Sequence, residues 1–233
     1  MQRDIFEQLQ ADRAAKTPVA LATNLKSGAQ TLIYLYGKKG TKGWPHAVAE
    51  AARAAMVADK SGSVETEDGP VFINVFNPPL RMIVIGAVHI AQSLAPMAAM
   101  TGYEIFVIDP RRSFGSEARF PGVNLSNAWP DEAMAGLKPD LRTAVVTLTH
   151  DPKLDDPALV AALRSDAFYI GSLGSSRTHA KRLDRLRAQG FQDHDFARIH
   201  GPIGLDIGAK SPAEIAVAIL AQTTETLRRA GKA

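Results

Sequence analysis

The stretch from Arg81 to Asp109, RMIVIGAVHIAQSLAPMAAMTGYEIFVID, constrains this chain more than any other. It reads as an apolar run, a glycine turn, an alanine-rich helical segment and a second apolar run that ends in an acid. That is one mononucleotide-binding βαβ half, in which the helix carries the chain back so that both strands run the same way. The candidate strands Met82 to Gly86 and Glu104 to Asp109 are followed by Thr143 to Thr149, Ala167 to Gly171 and Arg198 to His200, with helical segments between them. Short continuous runs of this kind, rather than alternating ones, predict a parallel sheet covered by helices on both faces. The last helix has the clearest start: in Ser211-Pro212-Ala213-Glu214 the serine is the N-cap, the proline takes the first helical position and the glutamate closes a capping box.

Upstream, Asn77-Pro78-Pro79 interrupts two strand-like runs, and consecutive prolines disfavour both helix and central strand. We place a domain boundary there, with a small α+β domain over 1–77 and the α/β domain over 81–233. The first domain reads as an amphipathic helix near 2–15, apolar runs at Pro18 to Thr23 and Thr31 to Tyr36 joined by a hairpin turn at Asn24 to Gly28, an alanine-rich helix at about 46–59, a polar stretch, and a strand from Val71 to Phe76. It carries no catalytic signature.

Bulk properties exclude several functions. The 27 basic and 24 acidic residues are spread along the chain without a block of like charge, so nucleic-acid binding is not expected. The first residues, MQRDIFEQLQADRAAK, lack the apolar run of a signal peptide, and no apolar run approaches the ~20 residues needed to cross a bilayer. A cytoplasmic protein with no membrane span is expected. Cysteine is absent, which removes disulfides, thiolate metal sites and any thiol nucleophile or persulfide from these residues.

The candidate site residues lie where the predicted strands end. Gly86 makes the tight turn after the first strand, and Asp109 stands 23 residues later, where a ribose hydroxyl would be read. Val88 replaces the middle glycine of G-x-G-x-x-G, which keeps a pyrophosphate from approaching that backbone as closely. His89 starts the helix, either beside a ligand phosphate or simply in solvent. Arg111 and Arg112, with Arg119 after a loop, offer bidentate bonds to a phosphate or form a solvated basic loop. Thr149, His150 and Asp151 end the run at 143–149; His150 with Asp151 and Asp155 reads as a metal or acid/base group, or as a plain helix cap. In YIGSLGSSRTHAKR, Gly171 to Ser176 suggest a nest of backbone amides with Gly174 and Ser175 at its centre and Arg177 completing an anion grip, against the alternative of a Gly/Ser-rich turn. Finally Gly201, Gly204 and Gly208 give a rigid loop around Pro202, with Asp206 directed at the same crevice.

Four segments in this order resemble the xanthine dehydrogenase accessory protein (XdhC/CoxF) family: IVIGAVHIAQSLA; VIDPRRSF with RFPG; TLTHDPKLDDPALVAAL with AFYIGSLGSSRTHAKRL; and GPIGLDIGAKSPAEIAVAILAQ. The resemblance implies a Rossmann-like C-terminal domain. It also implies a non-catalytic protein that binds molybdenum cofactor (molybdopterin), protects it, assists its sulfuration and delivers it to a molybdenum hydroxylase such as xanthine dehydrogenase. Carried over as cofactor-binding are Gly86, His89, Asp109, Arg119, His150, Asp151, Gly171, Gly174, Ser175, Arg177, Gly204 and Asp206, with no catalytic or metal-binding residue. Because the chain lacks cysteine, sulfur would come from a partner, a cysteine desulfurase. Two other readings stay open at this level: an NAD(P)- or FAD-linked oxidoreductase using the same crevice and Asp109, and a purely structural member that contacts a hydroxylase or desulfurase without binding a pterin. An oligomer is compatible with all three.

Overall fold

The computed structural model describes residues 2–37 and 40–229. They divide into two units, one running to Pro78 and taking in Arg228, the other from Pro79 to Leu227. The division falls within the Asn77-Pro78-Pro79 stretch, although the end of the last helix leaves the second unit.

The first unit contains α1 (Arg3–Ala14), β1 (Val19–Asn24), β2 (Gln30–Tyr34), α2 (His46–Ala58), β3 (Gly62–Val64) and β4 (Val71–Phe76). Its strands form an antiparallel sheet in the order β2-β1-β4-β3. Successive side chains of a strand point to opposite faces. Thus Ala20 and Ala22 pack with Val48, Ala52 and Met56 of α2, while Val19 and Leu21 pack with Leu9 of α1. The hairpin turn forms because Asn24 Oδ1 accepts from the amides of Lys26 (2.9 Å) and Ser27 (2.8 Å). The polar stretch before β4 contains an unforeseen strand, β3, whose three residues Gly-Ser-Val are too few and too exposed to show a period.

The second unit holds β5 (Leu80–Ile85), α3 (His89–Met100), β6 (Tyr103–Ile108), β7 (Asn124–Ser126), α4 (Pro130–Leu137), β8 (Thr143–Thr147), α5 (Pro152–Leu163), β9 (Tyr169–Ser172), α6 (Ser176–Arg187), α7 (Asp193–Phe196), β10 (Ile199–His200) and α8 (Pro212–Arg229). All six strands are parallel, in the order β10-β9-β8-β5-β6-β7. Read from β7, the unit's strands run third, second, first, fourth, fifth, sixth, which is the Rossmann order with its switch point between β5 and β8. Every residue of β5 is buried, which explains the apolar run from Met82 to Ile85; Arg81 is buried with it, donating to Leu137 O at 2.7 Å and Asp140 Oδ2 at 2.8 Å. Met82, Val84, Val107 and Val146 pack beneath α3 and α8 on one face; Ile83, Ile85, Val145 and Ile170 pack beneath α4 to α7 on the other.

Some details depart from expectation. The strand β7 was missed because Asn-Leu-Ser is short and polar at the sheet edge. No helix forms in the crossover from β6 to β7; a loop runs there instead, and its Phe120, 2% exposed, joins the core on the α3 side. The helix α3 runs from His89 to Met100 with Pro96 inside it. The start of α8 is as expected: Ser211 Oγ accepts from the Glu214 amide at 3.3 Å, and Glu214 Oε2 accepts from Ser211 N and Lys210 N, both at 2.8 Å. No helix among the described residues is long and apolar enough to cross a membrane.

Candidate functional site

In an open parallel sheet the crevice lies outside the carboxyl ends of the strands, at the switch point. Gly86 and His89 follow β5, Asp109 follows β6, His150 and Asp151 follow β8, Gly174, Ser175 and Arg177 follow β9, and Gly204 and Asp206 follow β10. One edge of the sheet therefore gathers them. At the switch point Gly86 has φ +105°, and a Cβ added to it would lie 2.5 Å from Cγ2 of Thr149, so the loops after β5 and β8 are in contact there.

Asp109 is closed off within the chain. Its Oδ2 accepts from Ala87 N (2.9 Å) and Arg111 Nη2 (2.8 Å), and its Oδ1 accepts from Arg111 N (3.0 Å) and Arg111 Nε (2.8 Å). A carboxylate has about four acceptor positions, so none remains for the ribose hydroxyl expected from the sequence. The carboxylate side chain is 0% exposed and that of Arg111 39%. Burial opposes ionisation of Asp109, but the bonds from Arg111 and the backbone amides outweigh it and hold its pKa below the ordinary carboxylate value. Arg111 is kept charged by its bond to Asp109, and the field of Asp151 and Asp155 adds to this. The guanidinium also stacks on Phe114, 4.2 Å from the ring centroid.

Arg119 is likewise occupied. It donates to the carbonyls of Ala87 (2.9 Å) and Phe114 (2.6 Å) and to Gln92 Oε1 (2.8 Å), fastening the β6–β7 loop to the turn after β5 rather than presenting a free fork to a phosphate. It also borders a groove of about 550 Å³ along α3, with Pro96, Tyr103, Phe120 and Asn124. Of the residues carried over by resemblance, Arg119 alone lines that groove, which we therefore do not equate with the crevice at the strand ends.

Beyond β8, His150 is exposed and has φ +63°, a left-handed conformation uncommon for a residue with a side chain. Buried Asp155 holds it there: Oδ1 accepts from Thr149 Oγ1 (2.7 Å) and Thr149 N (3.3 Å), and Oδ2 accepts from His150 N (3.1 Å). Burial pushes the Asp155 pKa up. Asp151 is the N-cap of α5, accepting from Lys153 N at 2.9 Å, so the cap alternative describes its contact. Among the described residues no group of three or more histidines or carboxylates is placed to hold a metal, which leaves the metal alternative for His150, Asp151 and Asp155 without a basis.

The nest after β9 is shorter than expected. Gly171 and Ser172 belong to β9, Gly171 paired with both β8 and β10 and Ser172 with β8, and Leu173 N donates to Thr147 O at 2.9 Å. What remains is the run from Gly174 to Arg177 at the start of α6. Gly171 is glycine for packing: a Cβ there would meet Ile203 Cδ1 at 2.5 Å and Tyr169 Cε1 at 2.8 Å. Ser175 caps α6 by accepting from Thr178 N. Arg177 is exposed and has no partner among the described residues. Beneath this loop lies Arg182, 2% exposed, donating to Leu173 O at 2.6 Å. Nothing in the polar pattern of SRTHAKRLDRLR distinguishes this arginine from its solvated neighbours.

The loop after β10 is held by Gln222 of α8. Its Oε1 accepts from Tyr169 OH (2.7 Å) and Gly204 N (2.9 Å), and its Nε2 donates to Gly204 O (3.3 Å). Gly204 has φ +92° with Ala218 Cβ 3.1 Å from an added Cβ, so it needs to be glycine whether or not a ligand is present. Asp206 at the loop tip is exposed. We expect Gln222→Leu to lower stability by about 2 kcal/mol, because two donors lose their acceptor, and Gln222→Glu to lose less, because the acceptor is kept. Urea unfolding of the two variants checks this; equal losses would mean the acceptor is not what matters.

With the edge described, comparison with known proteins adds the following. A family model described as the XdhC Rossmann domain matches residues 82–223. The chain is 33% identical over 147 residues to the molybdenum cofactor insertion chaperone PaoD of Escherichia coli (strain K12), covering 63% of this chain and 40% of that protein. It is 32% identical over 160 residues to a probable xanthine dehydrogenase subunit of Bacillus subtilis (strain 168), covering 68% and 46%. The chain thus spans less than half the length of these relatives. A solved structure of a xanthine dehydrogenase from Bacillus halodurans superposes with a TM-score of 0.68 at 22% identity, covering 99% of this chain and 68% of the other, a likeness of fold.

Proposed function

The chain belongs to the XdhC family through its Rossmann domain, and from that premise we propose that it binds molybdenum cofactor as cargo at the carboxyl edge of the parallel sheet and hands it to a molybdenum hydroxylase. The observation that carries this reading is the extent of the family match: residues 82–223 include every loop of that edge, and a relative with 33% identity is named a molybdenum cofactor insertion chaperone. The phosphate of the cofactor would rest on the amides from Gly174 to Arg177 and on the Arg177 guanidinium, where a helix start, a glycine-permitted backbone turn and an unpaired cation coincide. Gly86, His89, His150 and Asp206 border the rest of the crevice. Asp109, Arg119, Asp151, Gly171, Ser175 and Gly204 shape it through the bonds and packing described above.

The protein acts as a carrier on this reading. Exchange of an oxo for a sulfido ligand at molybdenum draws on an activated sulfur donor, and none of these 233 residues is a cysteine. The donor would be a cysteine desulfurase reaching cargo held in an open crevice, in the reducing cytoplasm where its thiol stays available. Backbone amides, serines and arginines bind an anion without reacting with it.

The test mixes purified protein with molybdopterin, alone and then with apo-hydroxylase and a desulfurase. Retention at micromolar concentration and activation of the hydroxylase are expected. Arg177→Glu should weaken retention at least ~10-fold, the effect of losing one charge-assisted contact, while leaving the melting temperature unchanged because the side chain is exposed and unpaired. Substrate turnover by the isolated protein, or tight NAD binding with no retention of molybdopterin, would overturn the reading.

A further inference from the structure

In a dinucleotide site of this fold, the acid at the end of the second strand stays free to accept from a ribose diol, and the amides of the first turn stay free for the pyrophosphate. Here the two are spent on each other. Ala87 N, the first amide of the turn after Gly86, donates to Asp109 Oδ2 at 2.9 Å, and the remaining acceptor positions of Asp109 are filled by Arg111. Half-buried Val88 packs on the core where a second glycine would let a pyrophosphate close in. The arginine is not itself used up. Its Nε and Nη2 serve Asp109, its Nη1 has no partner among the described residues, and its ring stack on Phe114 holds the plane of the guanidinium in one orientation. Its side chain is 39% exposed in the loop after β6, at the carboxyl edge of the sheet.

We infer that Arg111 sets what this crevice accepts: it closes Asp109 to ribose and offers its own Nη1 to an anionic group, so that the ribose of an NAD- or FAD-like dinucleotide adds nothing to binding. The inference rests on the reading of the edge as a cargo site and narrows it. Arg111 acts on ribose through Asp109 and on an anion directly, so it is a specificity-determining residue with two separable effects.

The experiment needs no pterin. Isothermal titration of the full chain with inorganic pyrophosphate, ADP-ribose and NAD should give affinities within about tenfold of one another, because ribose adds nothing when Asp109 is closed; a tenfold ratio corresponds to about 1.4 kcal/mol. In Arg111→Met the carboxylate is freed, and ADP-ribose should gain at least ~10-fold over pyrophosphate, about the worth of a hydrogen bond to a charged group, while pyrophosphate itself weakens. Arg111→Lys keeps a charge without the fork and guards against loss of folding in the methionine variant; it should show the same shift in ratio with less weakening of pyrophosphate. Wild-type protein that binds NAD more than tenfold better than pyrophosphate would overturn the inference, and so would an unchanged ratio in both variants. Molybdopterin retention is measured separately: its failure with these ratios intact would sink the cargo reading and leave the specificity of Arg111 standing.

Discussion

Asp109→Ala should remove about 3 kcal/mol of stability at neutral pH, toward the low end of what breaking a buried ion pair costs, because Arg111 is partly exposed and regains water. For a chain of this size that is a fall in melting temperature of roughly 10 °C. The loss has two sources: Ala87 N, in the turn after β5, is left without its acceptor, and the Arg111 fork loses the partner that orients it. Its pH dependence follows from the charge. The folded-state pKa of Asp109 lies below the unfolded value, burial opposing ionisation and the bonds from Arg111 and the amides overcoming it. The stabilisation is therefore fully present above the unfolded carboxylate pKa, about 3.9, and is lost as pH falls through the lower folded value. Asp155 has its pKa raised by burial and contributes with the opposite sign, but it is present in both proteins and cancels in the difference. Thermal unfolding of wild type and Asp109→Asn from pH 7 down to about 2.5 should show two curves that converge below pH ~4. Curves that stay parallel would mean that the pairing of Asp109 with Arg111 is not ionic.

Gly86→Ala should be comparably damaging, about 3 kcal/mol, for two reasons that can be separated. A side chain at φ +105° is strained wherever it is placed, at about 1–3 kcal/mol. The new methyl would also lie 2.5 Å from Thr149 Cγ2, inside the contact distance of two carbons, and relieving such overpacking costs a further ~1–3 kcal/mol. Thr149→Ser removes that methyl while keeping the hydroxyl that donates to Asp155 at 2.7 Å. The double variant should therefore recover the steric part and retain the conformational part, a coupling of about 1 kcal/mol or more in a double-mutant cycle. No coupling would show that the loops after β5 and β8 do not press on one another at the switch point. Because those loops border the proposed crevice, Gly86→Ala should also weaken binding of whatever anion the edge holds, even at temperatures where the variant remains folded.

Much of the architecture was legible in the chain because it depends on near neighbours. The runs at Met82 to Gly86 and Thr143 to Thr149 announced strands buried on both faces, and β5 and β8 are entirely buried. Ser211, Pro212 and Glu214 announced the start of α8 through contacts that span at most four residues. The same locality explains the omissions, since β3 and β7 are three residues each and get their strand conformation from partners elsewhere in the sheet.

The site divides along the same line. The amino-acid sequence by itself determined which residues stand at the carboxyl ends of the strands, because strand ends and helix caps follow from local pattern and conformation. Only the tertiary structure decided which of them are free to meet a ligand. Whether Asp109 has an open acceptor depends on Ala87, 22 residues away, and on the direction taken by Arg111. Whether Arg119 can grip a phosphate depends on Ala87 and Gln92, 32 and 27 residues away. The glycine at 171 answers to Ile203, and the buried charge of Arg182 to the carbonyl of Leu173. A hydrogen-bonding group has a fixed number of positions, and folding fills them from distant parts of the chain. No local pattern records that, which is why Arg177, His150 and Asp206 emerge as exposed groups at the edge while Asp109 and Arg119, equally prominent in the sequence, are tied into the protein itself.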